Sequence, residues 1–226
     1  MPEHSEHSAT QAASIAGRDS GGSLRLILAS QSARRRELLE QVGYQPVCCP
    51  VNADESMQAN ESPEQLVERL AVLKARTYLE TVSTESARTC LILGSDTVID
   101  LDGAVLGKPD NRDACINALL SLSDRTHAVR SGVCVLAPAT GGSWSCVVTT
   151  MVQFGAISES IARDYWNSSE PVGKAGSYAI QGLGAQFVAH LSGSYSNVVG
   201  LPLYETVSML KRAGLSPLLS ASNSLS

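Results

Sequence analysis

The sequence lacks several features that would assign it to a common protein class. No apolar run approaches the roughly 18 residues that a membrane-spanning helix needs. None of the six cysteines forms a C-x-x-C pair, and the histidines are too few for a Cys/His zinc site. The Walker A and G-x-S-x-G motifs are also missing. These absences argue against a helical membrane protein, a zinc-binding module, a P-loop enzyme and an α/β-hydrolase.

The chain also has fewer basic residues than acidic ones. The formal net charge is -5, from 17 Lys and Arg against 22 Asp and Glu. This balance argues against broad nucleic-acid binding, but it is compatible with a local basic pocket for one small phosphorylated ligand. Cys90 and Cys134 lie in apolar runs, where cysteine acts as a small hydrophobic residue. We therefore expect a reducing, cytoplasmic location and no nucleic-acid or membrane partner.

The two ends of the chain lack the periodicity of helices and strands. Residues 1–22 are rich in Ser, Ala and Gly, and they contain no apolar segment of a secretory signal. Glu3, Glu6 and Asp19 against a single arginine argue against a mitochondrial presequence. We expect a disordered extension over 1–22, a folded domain over 23–213 and a flexible tail over 214–226.

Strand and helix patterns alternate between the two tails. The run "LRLIL" (24–28) predicts a strand, and Ser32 and Gly43 mark the start and the end of a helix. Ser62 begins the clearest helix, with a capping box to Gln65. The expected buried stripe of that helix is Leu66, Leu70, Leu73 and Thr77.

The second half of the chain alternates in the same way. "CLIL" (90–93) predicts a buried strand, Asp102-Gly103 predicts a hairpin turn, and Asp110 or Asn111 caps a helix. Further strands are expected over 126–138, 143–154 and 186–191. Ser158 is expected to open a helix that ends near residue 167, and a last helix is expected over about 203–213. The expected fold is α/β, with a mixed sheet flanked by helices.

Three consecutive arginines lie in the first turn of the first helix, at 34–36. The helix dipole disfavours cations there by a few tenths of a kcal/mol each. Together with the backbone N–H groups of the strand-to-helix junction at 30–36, the guanidinium groups predict an anion site. The alternative is a solvated basic patch that pairs with Glu37 and Glu40.

Acidic residues supply a second candidate. Asp96 lies between apolar runs at 91–93 and 98–99, at the expected end of a strand. A carboxylate there needs a metal, a lysine or backbone donors, unless it lies in a turn and bonds its own backbone. Asp54 and Glu55 are an ordinary acidic loop when taken alone, and oxygen ligands for Mg²⁺ when combined with Asp96.

Two lysines and one glutamine complete the set of candidates. Lys74 borders the expected buried stripe, and each lysine taken alone is typical of a surface cation. Lys108 is held between a glycine and a proline in "GKP", which suits a positioned phosphate contact. Gln181 lies in "AIQGLG", where the glycines would let a ligand approach the backbone closely.

Five ordered blocks resemble the Maf family of nucleoside triphosphate pyrophosphatases, first named as septum-formation inhibitors. "LILASQSARRRELLEQVG" is similar to the family's strand, A-S-x-S-P-R-R and helix, and "RLAVLKA" to its R-L-A-x-x-K-A helix. "GSDTVIDLDGAVLGKP" resembles its G-A-D-T hairpin, and "KAGSYAIQGLGAQFV" and "GSYSNVVGLPLYET" resemble its C-terminal blocks. The resemblance implies a fold like that of inosine triphosphatases, with a substrate cleft between two lobes.

The resemblance also implies an activity, the hydrolysis of a nucleoside triphosphate to a monophosphate and pyrophosphate in nucleotide-pool house-cleaning, with Mg²⁺ or Mn²⁺. Asp96 falls on the family's general base, and Glu55 and Asp96 on its metal site. The remaining residues carried over are Lys74 and Lys108 as catalytic cations and Ser30, Arg34, Arg35, Thr97 and Gln181 as substrate-binding residues. Arg34, Thr97 and Gln181 are similar to the branch that acts on dTTP and UTP.

The sequence departs from the family pattern at Ala33, Ser95 and Gly173, which stand where proline, alanine and aspartate are common. The change at Gly173 would weaken or retune catalysis if that aspartate binds metal or orients Lys174. Two other functions stay open: a pyrophosphatase for a modified nucleotide such as 7-methyl-GTP, and a non-catalytic nucleotide-binding regulator of cell division. A homodimer is compatible with the resemblance.

Overall fold

The protein is organised around one mixed sheet, in a computed structural model that describes residues 24–217. The strands are β1 (Arg25–Leu28), β2 (Val47–Cys48), β3 (Cys90–Leu101), β4 (Ala104–Leu106), β5 (Thr126–Ala137), β6 (Gly142–Phe154) and β7 (Val188–Ser192). The helices are α1 (Ala33–Gln41), α2 (Pro63–Glu80), α3 (Thr84–Ala87), α4 (Arg112–Leu122), α5 (Glu159–Asn167), α6 (Tyr195–Val199) and α7 (Leu203–Arg212). The predicted extension over 1–22 and most of the tail over 214–226 lie outside the described residues, so the domain limits stay predictions.

The sheet has seven strands in the order β2-β1-β3-β5-β6-β7, with β4 paired to β3 off this path. Strand β1 is parallel to β2 and to β3, whereas β3, β5, β6 and β7 are successively antiparallel. Because side chains alternate along a strand, the sheet buries apolar residues on both faces. Ile27 and Ile92 pack with Ala71 and Ala75 of α2, and Leu28, Leu91, Leu39 and Leu210 form a core with α1 and α7. The predicted α/β class, with helices flanking a mixed sheet, is confirmed.

Local sequence signals start the helices where they were predicted. The Ser32 hydroxyl caps α1, and Ser62 forms a capping box with Gln65 at the start of α2. Asn111 caps α4, and Ser158 caps α5. In each case a side-chain oxygen accepts a hydrogen bond from a backbone N–H that the helix leaves free. Between residues 24 and 217, no helix is both long enough and apolar enough to cross a membrane.

Strand β3 is longer than predicted, and its length changes the position of Asp96. We expected a strand over 90–93 with Asp96 at its end, but Asp96 lies in the middle of a strand of 12 residues. The strand continues because it changes partner: residues 90–93 pair with β1, and residues 92–100 pair with β5. Polar residues at 95–97 interrupt the apolar pattern without interrupting the backbone pairing. The strand-end and turn interpretations of Asp96 are therefore wrong.

Helix α2 lies directly on the sheet because two glycines leave room for its backbone. A Cβ at Gly94 would lie 2.1 Å from the carbonyl oxygen of Ala71. A Cβ at Gly132 would lie 2.0 Å from the carbonyl oxygen of Val67. Both distances are far below any normal contact, so a side chain at either position would push α2 away from β3 and β5.

The buried face of α2 is turned relative to the predicted stripe. The prediction is correct for Leu66 and Leu70, but Leu73 and Thr77 are only half-buried. The close approach to the sheet instead buries Val67, Leu70, Ala71, Lys74 and Ala75. Lys74 is thereby moved from the border of the stripe to its centre, against β3.

Candidate active site

One cavity of about 880 Å³ is lined by every site residue that the resemblance to the Maf family implies. It lies between the β1–α1 junction, β3, the segment after β4 and residues 173–181. The predicted residues that line it are Ser30, Arg34, Arg35, Glu55, Lys74, Asp96, Thr97, Lys108 and Gln181. Asp54 differs from its neighbour Glu55, because its carboxylate accepts hydrogen bonds from the backbone N–H and the hydroxyl of Ser56.

Arg35 is buried and joins three parts of the chain. Its Nε donates to the Gly200 carbonyl oxygen at 2.9 Å, Nη1 to Ser30 Oγ at 3.1 Å, and Nη2 to Thr97 Oγ1 at 3.2 Å. Burial lowers the pKa of Arg35, and the charge of Arg34 lowers it further, whereas Asp96 and Glu55 oppose the shift. Arg35 therefore fixes the β1–α1 junction against β3 and against the turn after α6.

The two neighbouring arginines have different surroundings. Arg34 lines the cavity and donates from Nε to the Val199 carbonyl oxygen at 3.3 Å. Arg36 is half-exposed and pairs with Glu40 at 3.7 Å. The anion-site interpretation thus fits Arg34 and Arg35, and the solvated-patch alternative fits Arg36.

Lys74 lies between two carboxylates. Its Nζ donates to Asp96 Oδ1 at 2.6 Å and lies 2.6 Å from Glu55 Oε1. Lys74 and Asp96 are both buried, whereas half of the Glu55 side chain is exposed. Partial burial raises the pKa of Glu55, but the hydrogen bond from Lys74 and the charges of Lys74, Lys108 and Arg35 lower it more, so the net shift is downward. The lysine is a buried partner of both acids, not the isolated surface cation that one alternative described.

The β3–β4 hairpin carries the chain to Lys108. Asp102 and Gly103 both have positive φ, 53° and 88°, as the predicted two-residue turn requires. Asp100 braces this turn, because its carboxylate accepts from the Gly103 N–H at 2.7 Å and from Arg130 Nε at 2.8 Å. This brace was missed, since the pairing of β3 with β5 that brings Arg130 to Asp100 cannot be read from local sequence.

Lys174 is a further cation at the cavity that was not assigned to the site. Its Nζ donates to the backbone oxygen of Glu170. Burial lowers the pKa of Lys174, and the charge of Arg34 lowers it further, against the opposing effect of Glu170. Gly173 has a φ of +71°, and no neighbouring atom lies within 4 Å of the position that a Cβ would take. Because glycine replaces the aspartate that is common here, position 173 offers no carboxylate to Lys174.

A buried histidine lies beside the cavity wall. Tyr178 lines the cavity, and its hydroxyl lies 2.9 Å from His127 Nε2. In the described part of the chain, His127 Nδ1 has no hydrogen-bond partner. Burial lowers the pKa of His127 to about 4, so the ring is neutral at physiological pH.

Three comparisons relate the chain to known proteins. Residues 25–213 match the family described as Maf-like protein. The chain is 45% identical over 185 residues to the dTTP/UTP pyrophosphatase of Acinetobacter baylyi, with 82% of this chain and 97% of that protein covered. It is 47% identical over 188 residues to the dTTP/UTP pyrophosphatase of Vibrio cholerae, with 83% and 97% covered. Among solved structures, the Staphylococcus aureus Ham1 protein is similar at 14% identity and a TM-score of 0.41, over 57% of this chain and 71% of that one. On the family match and these identities, the chain belongs to the Maf-like protein family.

Proposed function

We propose that the protein hydrolyses nucleoside triphosphates, with dTTP and UTP as its preferred substrates, to the monophosphate and pyrophosphate. The observation that carries this proposal is the convergence of the buried Asp96 with Lys74 and the cations Arg34 and Lys108 on one cavity. A triphosphate supplies the negative charge that such a cluster lacks. The relatives that are named dTTP/UTP pyrophosphatases support the same reaction and the same bases.

The carboxylates fit a divalent metal ion that is shared with substrate. Asp96 and Glu55 both approach the Lys74 ammonium at 2.6 Å, so their oxygens already converge on a cation. Residues 24–217 contain no group of three or more acidic, His or Cys side chains that could hold a metal unaided. Mg²⁺ accepts one or two carboxylates together with phosphate oxygens and waters. Glu55 and Asp96 would hold Mg²⁺ or Mn²⁺, whose charge would offset the negative charge that develops on the phosphates.

Asp96 is the proposed general base. Its carboxylate takes a proton from a water molecule as the water oxygen bonds to the α-phosphorus, the bond from that phosphorus to the bridging oxygen breaks, and pyrophosphate leaves. The hydrogen bond from Lys74 holds one carboxylate oxygen in place, and the backbone pairing of β3 on both sides fixes the residue. Arg34 and Lys108 hold the phosphates and stabilise the charge of the transition state.

Arg35 combines substrate binding with positioning. Three of the five N–H groups of a guanidinium are used by Ser30, Thr97 and Gly200, which leaves two for a phosphate oxygen. Thr97 Oγ1 in turn lies 2.8 Å from Ser131 Oγ and 3.2 Å from the Gly200 carbonyl oxygen. This hydroxyl already has three partners, so we propose that Thr97 holds Arg35 in place and that Gln181 contacts the nucleotide base.

Gln181 is the proposed base-reading residue. The imide edge of uracil or thymine presents a donor flanked by acceptors, and a carboxamide can pair with it. A carboxamide in the flipped orientation can also pair with cytosine, so CTP belongs in any test. A cytoplasmic location and a homodimer stay predictions.

The test is a substrate panel with one matched acidic control. Purified protein with Mg²⁺ or Mn²⁺ is incubated with dTTP, UTP, CTP, ATP, GTP, ITP and 7-methyl-GTP, and pyrophosphate and monophosphate are quantified. We expect release from dTTP and UTP that falls by roughly 10²-fold or more in Asp96→Asn. Asp54→Asn, which changes an exposed acid that accepts hydrogen bonds from Ser56, should keep the wild-type rate. Turnover of other nucleotides alone would overturn the substrate assignment, and tight binding without turnover would favour a regulator.

A further inference from the structure

The loop that carries Gln181 is anchored by one glutamate outside the predicted site. Glu170 follows the end of α5, and its two carboxylate oxygens face the backbone of the loop. Oε1 accepts from the Gly184 N–H at 2.9 Å, and Oε2 accepts from the Leu183 N–H at 2.8 Å. This one side chain therefore binds the backbone at residues 183–184, just beyond Gln181.

A tyrosine fixes the other end of the same loop. The Tyr165 hydroxyl donates to Glu170 Oε1 at 2.6 Å and accepts from the Ala179 N–H at 3.1 Å. Tyr165 is buried on α5 and meets the Phe187 ring edge-on, with ring centroids 5.0 Å apart. Together, Tyr165 and Glu170 hold residues 179 and 183–184 on either side of Gln181, which itself is exposed toward the cavity.

The glycines of "QGLG" make room for this anchor. A Cβ at Gly182 would lie 2.1 Å from Glu170 Oε2, and a Cβ at Gly184 would lie 2.7 Å from the Tyr165 hydroxyl oxygen. We expected these glycines to let a ligand approach the backbone. The contacts give them another purpose, because any larger residue would displace the carboxylate or the hydroxyl that holds the loop.

Glu170 is ionised in this setting. Partial burial raises its pKa, but hydrogen bonds from Tyr165, Gly184 and Leu183 and the charge of Lys174 lower it more, so the net shift is downward. A charged acceptor makes stronger hydrogen bonds than a neutral one. The Glu170 backbone oxygen also accepts from Lys174, so the same residue braces a cation at the cavity.

We propose that Glu170, together with Tyr165, is a positioning residue that selects pyrimidine nucleoside triphosphates by holding Gln181 against the base. This inference rests on the proposed function. Glu170 does not line the cavity, and it acts through the loop. Asp96 lies on β3 and Lys74 lies on α2. Among the residues that the structure describes, the side chains of Glu170 and Tyr165 make no hydrogen bond to either element, so we assign the anchor to selectivity more than to the chemical step.

The experiment compares Glu170→Ala and Tyr165→Phe with wild type, each alone and combined with Gln181→Ala. The matched control is Glu159→Ala, an exposed acid on α5 that pairs with Arg163. KM and kcat are measured for dTTP, UTP, GTP and ITP. We expect KM for dTTP to rise roughly tenfold or more in each anchor variant while kcat changes less than about threefold, because a site built to hydrogen-bond its substrate loses discrimination when the pairing group is misplaced.

The double variants decide whether the anchor acts through Gln181. If it does, adding Glu170→Ala to Gln181→Ala has little further effect on the ratio of dTTP to GTP turnover. Additive effects, or a fall in kcat with an unchanged ratio, would overturn the inference and leave Glu170 a stabilising residue only. Tyr165→Phe keeps the ring and its packing, so it decides the question should Glu170→Ala fail to fold.

The same variants separate this inference from the proposed function. Wild-type protein that hydrolyses no triphosphate contradicts the proposed function. Equilibrium binding of dTTP and GTP, measured by calorimetry, then still tests the anchor, since anchor variants should lose the preference for dTTP. Wild-type turnover of dTTP with unaltered selectivity in both anchor variants contradicts the anchor alone.

Discussion

The substitution His127→Phe should remove a specific part of the acid sensitivity of the fold. His127 is 1% exposed, and its ring lies edge-on to Phe154, with centroids 4.9 Å apart. A charged imidazole needs an acceptor at both nitrogens, yet within residues 24–217 only Nε2 has a partner, the Tyr178 hydroxyl. The folded protein therefore keeps the ring neutral until the pH approaches about 4, the pKa to which burial lowers it.

The size of the effect follows from the difference between the two states. In the unfolded chain the histidine has an ordinary pKa near 6.5. Between that pH and about pH 4, the unfolded state therefore binds a proton that the folded state does not bind. Stability therefore falls as pH falls from about 6.5 to about 4. At about 1.36 kcal/mol per pH unit, the free energy of unfolding should drop by about 2 kcal/mol between pH 7 and pH 5. The acids with lowered pKa values, such as Glu61 at about 2, contribute mainly below this window.

Urea unfolding followed by tryptophan fluorescence at pH 7 and pH 5 measures this difference. We expect a loss of about 2 kcal/mol in wild type and less than about 0.5 kcal/mol in His127→Phe. The Tyr178 hydroxyl loses its partner in the variant, and this cost in stability is the same at both pH values. His190→Gln, at an exposed position, should keep the wild-type difference. Equal pH differences in wild type and His127→Phe would refute the reasoning.

Three further outcomes follow from contacts at the site. Gly132→Ala should push α2 off the sheet, and it should lower the free energy of unfolding by about 1–3 kcal/mol and kcat/KM by roughly tenfold. Gly155→Ala is the control, since a Cβ there has open space around it, and it should match wild type in thermal unfolding and turnover. Arg35→Lys removes the planar guanidinium that binds three partners, so it should reduce kcat/KM roughly 10²-fold. Arg36 is half-exposed, so Arg36→Lys should change kcat/KM by less than about twofold. Removing divalent ions with EDTA should abolish turnover, and Mg²⁺ or Mn²⁺ should restore it, so full activity in EDTA contradicts the metal site.

Features that depend on a few neighbouring residues could be predicted from the sequence. The caps at Ser32 and Ser62 and the turn at Asp102-Gly103 are local, because each is a hydrogen bond or a backbone conformation within about four residues. The grouping of the arginines with Asp96 in one cavity was reached through the resemblance to a family of known arrangement. Periodicity alone would not have joined segments so distant in the chain.

Features that depend on long-range pairing could not be predicted. The length of β3 follows from its antiparallel partner β5, and the depth of Lys74 follows from glycines on two different strands. The anchor at Glu170 depends on a tyrosine in α5 and on backbone N–H groups 13 and 14 residues later. Its sequence signal is the pair of glycines at 182 and 184, which in the sequence alone indicates space for a ligand.

The arginines of the first helix receive their backbone acceptors from the far end of the domain. Arg34 and Arg35 donate to the carbonyl oxygens of Val199 and Gly200, each 165 residues later in the chain. On the ribosome, the phosphate-binding end of the cavity therefore stays unfinished until almost the entire domain has emerged. A product of premature termination before Val199 retains all the proposed catalytic residues but lacks the two carbonyl oxygens that hold Arg34 and Arg35. Complete anchoring of these arginines thus requires synthesis of almost the whole domain as well as correct folding.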